Sequence, residues 1–274
     1  MINMYEYGTE NLDTILLIHG DMMTWEWMLP VVELLQDDFH VIVPALPGYD
    51  FRRPGDFTGI AKICRQIERW MVEADQQDIN LIYGMSAGGS VAARLVANGV
   101  IHADRVILDG ALMPRRQGWL GRYLSAKKPC WKIRMARASR FLLERMYPAD
   151  RYDEDDVDEM QLFLHEISNR TYFRTYLSCD TYKMPEKVRT PMGCQIQYWY
   201  GQQEEHKRKR DIRYVKETFT HVRFRQIPGM GHGQHAIVRP EEFAADLWKI
   251  CEPTRRSEEL YEEEYYEEFY RRAQ

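Results

Sequence analysis

No run of 18 apolar residues occurs, so no membrane-spanning helix is expected. The opening MINMYEYGTE has neither a basic n-region nor an apolar h-region, so no Sec export signal is expected. Cysteine is scarce. The five (Cys64, Cys130, Cys179, Cys194, Cys251) are odd in number and lack CxxC spacing. That argues against a disulfide framework and a zinc site, and for a reducing, cytoplasmic compartment. Basic charge is not in excess either: 37 Lys and Arg against 42 Asp and Glu give a net charge of −5. Nucleic acid is therefore not an expected partner. No internal repeat, metal motif or cofactor motif is found. What is present is ordinary globular material, 45% hydrophobic and 29% charged over 274 residues, enough for a sizeable core.

Charge is unevenly placed. Residues 115–145 carry ten Lys and Arg against one acid, Glu144. Residues 150–159 carry seven acids and Arg151, and residues 255–274 carry seven Glu among Tyr261, Tyr265, Tyr266, Phe269 and Tyr270.

Short apolar runs alternate with helical patterns. The runs 15–18, 41–43, 79–83 and 106–108 read as buried strands, and residues 60–71 and 87–98 as helices between them. This β-α-β-α-β rhythm predicts a parallel sheet covered on both faces. It breaks from about Met113 to Met184, a basic, aromatic stretch with helical patterning. It resumes with strands at 194–200 and 222–227, a helix over 211–219 and a Pro-led helix from Pro240.

Gly84-Met85-Ser86-Ala87-Gly88 reads GxSxG, and Gly89 follows. It stands directly after a strand run and directly before a helical one, where a nucleophile elbow belongs. Strand and helix approach so closely at such a turn that glycines flank the serine. Ser86 Oγ is then exposed at the carboxyl edge of the sheet, and the Ala87 amide faces an incoming oxyanion. A chain of this composition contains the pattern by chance about 0.03 times. The competing reading is a glycine-rich turn without chemistry.

A serine needs a base. His232 lies in Gly229-Met230-Gly231-His232-Gly233, just past the last predicted strand, where glycines let a loop present an imidazole. His235 is a neighbouring alternative. His40, His102 and His221 read as surface residues. An orienting carboxylate is sought just past a strand end. Glu204 and Glu205 follow the strand 194–200, and Asp109 follows another. Glu205 reads better as part of a solvated turn.

With these pieces the chain resembles the α/β-hydrolase fold serine hydrolases. The resemblance rests on IHGDMMTWEW, VPALPGYD, GMSAGG, YWYGQQEE and GMGHGQHAIVRPEEF, which span Ile18 to Phe243. It implies an α/β fold, a mostly parallel sheet flanked by helices, with shortened N-terminal strands and an inserted helical cap. It implies a core of residues 1–112 and 186–252, a cap over 113–185 and an acidic-aromatic C-terminal tail over 253–274. It favours Glu204 as the acid by the spacing from Gly201, and the order Ser86, Glu204, His232 is the family's. It assigns the second oxyanion donor to the backbone amide of Asp21, with Met22 as neighbour alternative. For this the Asp21 carboxylate must point away.

The expected function is a serine hydrolase without metal or cofactor, cleaving an ester, thioester or activated amide of a small-molecule acyl substrate. A lyase or acyltransferase step, or a non-catalytic binding role, are the alternatives. Trp119, Tyr123, Trp131, Phe141 and Tyr147 are candidates for an acyl-pocket wall or for cap core. Basic residues of 115–145, Arg115 and Arg116 first, are candidates for gripping an anionic acyl group. The tail could dock on the core, form a homodimer contact or fray.

Overall fold

In a computed structural model of the chain, residues 2–148, 151–152, 154–190 and 193–251 are described. The tail at 253–274, with the docking and dimer readings attached to it, lies outside the described residues.

The apolar runs become strands buried on both faces. Strands β2 (Thr14–Ile18), β3 (His40–Ala45), β4 (Asp78–Met85), β5 (His102–Asp109), β6 (Gln195–Gly201) and β7 (Val222–Ile227) run parallel. Strand β1 (Asn3–Tyr7) pairs antiparallel with β3 at one edge. Among the described residues these form one seven-stranded sheet in the order β1-β3-β2-β4-β5-β6-β7. One antiparallel strand thus precedes β2, as expected from the short N-terminal segment. The strand order reverses after β3, so the carboxyl ends of β2 and β4 flank a crevice where the chain's connections part to opposite faces.

Alternation along each strand sends Leu16, Ile18, Ile82, Val106 and Leu108 to one core and Ile15, Leu17, Tyr83, Ile107 and Trp199 to the other. Helices α2 (Ile60–Glu73), α3 (Ala87–Asn98) and α8 (Glu205–Thr218) pack on the first face. Helices α1 (Leu29–Leu35) and α10 (Pro240–Cys251) pack on the second. The stripe Ile60, Ile63, Cys64, Ile67 and Met71 on α2 is fully buried. Each such side chain contributes on the order of 1.5–3 kcal/mol. Helix α8 starts at Glu205, earlier than the apolar stripe from 211, because its first turn is charged. Helices α1 and α9 (Gln234–Val238) escape sequence reading: each is too short to display a period. His40 is buried, not a surface residue. As first residue of β3 it is covered by β1 and bonds Glu6 at 3.0 Å.

Between β5 and β6 the chain forms α4 (Trp119–Ala138), α5 (Arg140–Met146), α6 (Glu154–Glu166) and α7 (Asn169–Thr181). Helix α7, capped by the Ser168 hydroxyl accepting from the Thr171 amide, fastens this insert to the segment that joins β3 to α2. Hydroxyls at 171, 175 and 178 stand on one helix face. Thr171 accepts from the Phe57 amide (3.1 Å), Ser178 accepts from the Ile60 amide (2.9 Å), and Thr175 bonds the Tyr49 hydroxyl (2.9 Å). The insert's basic residues are held outside the crevice. Arg115 pairs with Asp180 and Arg116 with Glu217, while Arg140 pairs with Glu144 and Asp158. Trp119, Trp131 and Phe141 are 75%, 65% and 70% exposed, so they form neither a pocket wall nor a core. Tyr123 meets Phe173 edge to face. Among the described residues no helix is long and apolar enough to cross a membrane.

The first turn of α3 crosses the end of β2 in backbone contact. A methyl carbon at Gly88 would run into the carbonyl oxygens of Ile18 and His19. Gly88→Ala is therefore expected to destabilise by on the order of 1–3 kcal/mol. Gly118→Ala, where an added carbon meets nothing within 4 Å, should leave the denaturant midpoint nearly unchanged. Equal midpoints for the two variants would contradict the close crossing.

Candidate active site

Ser86 occupies the apex between β4 and α3 with φ 53° and ψ −114°, a backbone conformation that non-glycine residues rarely adopt. Its amide donates to the Asp109 carbonyl oxygen at 2.8 Å, which ties the apex to the neighbouring strand. The side chain emerges at the crevice between the ends of β2 and β4.

The loop after β7 delivers His232. Its Nε2 lies 2.8 Å from Ser86 Oγ, and its Nδ1 lies 2.8 Å from Glu204 Oε2. Glu204 ends a 3₁₀ turn, Gln202–Glu204, that follows β6, and its side chain is buried. Gly110 makes room for this contact: at φ 55°, a Cβ there would stand 2.6 Å from His232 Nδ1 and 3.1 Å from Glu204 Oε1.

Arg208, one turn into α8, donates from Nε to Glu204 Oε2 (2.7 Å) and from a terminal nitrogen to the Gly110 carbonyl oxygen (3.1 Å). Burial alone would raise the Glu204 carboxyl. The His232 imidazole and the Arg208 guanidinium outweigh it and hold the pKa at about 2, against an ordinary 4.5. Arg208 is missed by sequence reading, although its signal is there: an arginine four residues after the candidate acid.

The competing residues are engaged elsewhere. His235 Nε2 bonds Asp246 at 2.9 Å, and Glu205 accepts from Gln226 at 2.9 Å. Asp109 is buried and accepts from the Tyr83 hydroxyl at 2.7 Å. Burial raises its carboxyl above the ordinary range, with Tyr83 opposing. His19 is buried and braces the β2 end: its Nε2 accepts from the Leu46 amide, so its Nδ1–H donates to the Gly20 carbonyl. Burial lowers its pKa from 6.5 to about 4, keeping it neutral.

One expectation is overturned. The Asp21 carboxylate does not point away from the serine. Its Oδ1 accepts from Ser86 Oγ at 2.9 Å, while its Oδ2 accepts from the Tyr176 hydroxyl of α7 at 2.6 Å. Two hydroxyls therefore turn it inward. The adjoining Met22 has φ 62°, so the loop after His19-Gly20 bends sharply here. A cavity of about 210 Å³ opens at this point, lined by Asp21, Ser86 and His232 with Tyr147 and Tyr176 from the insert. None of the basic residues 115–145 lines it.

A sequence profile described as the alpha/beta hydrolase family matches residues 15–246, most of the chain. The chain belongs to the alpha/beta hydrolase family. Solved structures agree at the level of fold. An esterase from Exiguobacterium antarcticum superposes with TM-score 0.73 at 15% identity, covering 92% of this chain and 95% of the other. An enol-lactonase from Burkholderia xenovorans gives 0.66 at 16% identity, with 91% and 95% covered. An alpha/beta hydrolase family protein from Desulfitobacterium hafniense gives 0.69 at 17% identity, with 90% and 99% covered. No curated protein matches the sequence. At such identities the likeness establishes the fold alone, and in this family one fold carries many chemistries.

The depressed Glu204 pKa makes a stability prediction. The folded value is below the unfolded one, so the unfolded chain takes up the proton first. The stabilisation is full above about pH 4.5 and is lost as pH falls towards 2. Glu204→Gln should unfold at lower urea than the parent at neutral pH, and the gap should narrow across that acid window. A gap independent of pH would contradict the charge account.

Proposed function

We propose that this alpha/beta hydrolase family member is a serine hydrolase that cleaves an ester, thioester or activated amide through an acyl-enzyme. One observation carries the reading: an unbroken relay, Ser86 Oγ to His232 Nε2 and His232 Nδ1 to Glu204, with both links at 2.8 Å. Ser86 Oγ attacks the acyl carbon while His232 takes its proton. Glu204 holds the neutral imidazole with Nδ1 protonated, which leaves Nε2 free to accept. The resulting imidazolium is stabilised by the buried carboxylate and returns the proton to the leaving oxygen, sulfur or nitrogen. Water then repeats the cycle on the acyl-enzyme.

The backbone amides of Ala87 and Asp21 are the donors proposed for the oxyanion, each worth roughly 3 kcal/mol in systems of this type. The inward Asp21 carboxylate is a cost to that arrangement, since a negative charge beside a developing oxyanion opposes it. The insert over 113–185 serves as a cap on a core of 1–112 and 186–252: Tyr147 and Tyr176 come from it to the cavity. A small-molecule acyl substrate and a cytoplasmic setting belong to the same reading, the latter supported by five cysteines that are all free thiols.

Ser86→Ala should lower kcat by about 10⁶-fold without loss of folding. Glu204→Gln should lower kcat by about 10⁴-fold with little change in KM, because the carboxylate acts mainly in the transition state. Glu205→Gln should be near silent. Steady-state kinetics on short-chain esters checks all three. An active Glu204→Gln enzyme beside a dead Asp109→Asn enzyme would reassign the acid.

A further inference from the structure

The Ser86 hydroxyl has one proton and two acceptors, His232 Nε2 at 2.8 Å and Asp21 Oδ1 at 2.9 Å. With the proton on the Asp21 side, Ser86 is not aligned for transfer to His232. A group that occupies Oδ1 in place of the serine favours the orientation towards His232. The partners of the Asp21 carboxylate are two neutral hydroxyls, Ser86 and Tyr176, and it forms no ion pair among the described residues. Among the residues lining the cavity the lysine or arginine is Arg208, whose Nε and one terminal nitrogen are turned to Glu204, Gly110 and Asp211. The remaining lining is aromatic, thioether and aliphatic, including Trp27, Tyr147, Tyr152, Met160 and Leu112.

We propose that Asp21 is the recognition group for an ammonium carried by the acyl part of the substrate, so that the preferred substrates are esters or thioesters of amine-bearing acids. This rests on the serine hydrolase reading for its chemistry. An acyl carbon poised for attack stands about 3–3.5 Å from Oγ. A nitrogen two or three bonds beyond it falls within reach of Oδ1. An ammonium supplies a charged N–H donor, which binds a carboxylate more strongly than a neutral hydroxyl does. It displaces the serine from Oδ1, and the serine proton turns to His232. The same pairing neutralises the charge that opposes the oxyanion. Trp27, Tyr147, Tyr152 and Tyr176 line the same cavity, and aromatic rings are residues that can attract a cation. Tyr176, donating to Oδ2 at 2.6 Å from α7, is a positioning residue that keeps Oδ1 on the serine side. In the reaction the Oγ–carbon bond forms, the bond to the leaving group breaks, and the serine proton passes through His232 to that group. The ammonium keeps its own protons.

The test compares ethyl 3-aminopropanoate with ethyl butanoate, which are equal in length and differ in charge. The readout is the ratio of their kcat/KM values, which cancels any general loss of activity. The parent enzyme should favour the amine ester by about tenfold or more, and Asp21→Asn should abolish that preference. Tyr176→Phe, which keeps the carboxylate and removes its donor, should reduce the preference in part. A ratio at or below one in the parent, or one unchanged in Asp21→Asn, overturns the assignment while leaving ester hydrolysis standing. A binding arm separates the two claims. Calorimetry on Ser86→Ala should show 3-aminopropanamide binding at least tenfold tighter than butanamide, and the added Asp21→Asn change should erase the difference. That result without turnover of either ester would sink the hydrolase reading alone; equal binding of the two amides would sink the recognition role.

Discussion

Ser86 sits where β4 ends and α3 begins, and the geometry of the whole crevice depends on how closely the first turn of α3 passes the carboxyl end of β2. Gly88 lies against the carbonyls of Ile18 and His19, so the two elements touch backbone to backbone. Three consequences follow from that contact. Ser86 is held at positive φ, its hydroxyl faces out of the sheet, and the residue after His19-Gly20 is brought beside it. Buried His19 locks the other side of the same junction by bonding both Leu46 and Gly20. Neutrality suits that role, since burial disfavours an ionised imidazole there more than the neighbouring Asp21 favours it.

Electrostatics then divides the site in two. On the Glu204 side, a carboxylate, a guanidinium and Asp211 form a buried network in which each charge has an opposite neighbour. Such a network is costly to break at one member, because the survivor stays buried and unpaired. On the Asp21 side, a carboxylate faces an apolar and aromatic cavity with only hydroxyl donors. The first half is closed, and the second is open to a charge, since Asp21 forms no ion pair among the described residues. The basic stretch 115–145 does not supply it: none of its lysines or arginines lines the cavity, and Arg115, Arg116 and Arg140 pair with Asp180, Glu217 and Asp158.

Much of this was legible in the residues. The apolar runs became strands because a parallel sheet buried on both faces needs unbroken hydrophobic stretches, and 222–227 and 87–98 match β7 and α3 residue for residue. Ser86, Glu204 and His232 were findable because each follows a strand end and two have flanking glycines. Asp21 was singled out for its amide, but the contact of its carboxylate with Tyr176 was not legible, because it joins residues 155 positions apart through the docking of α7, which no local pattern encodes. Tyr147 reaches the cavity, whereas Trp119, Trp131 and Phe141 misled for a related reason. Composition tells that Trp119 and Trp131 exist, but only packing tells which way they face.

The most direct measurement of the central claim, an activated serine at this crossing, is covalent labelling of the native protein with a fluorophosphonate followed by peptide mass spectrometry. The relay predicts a single adduct on the peptide containing Ser86, lost in His232→Ala, because the hydroxyl reacts only with a base aligned to take its proton. No adduct, or one that persists at equal rate in His232→Ala, would contradict it.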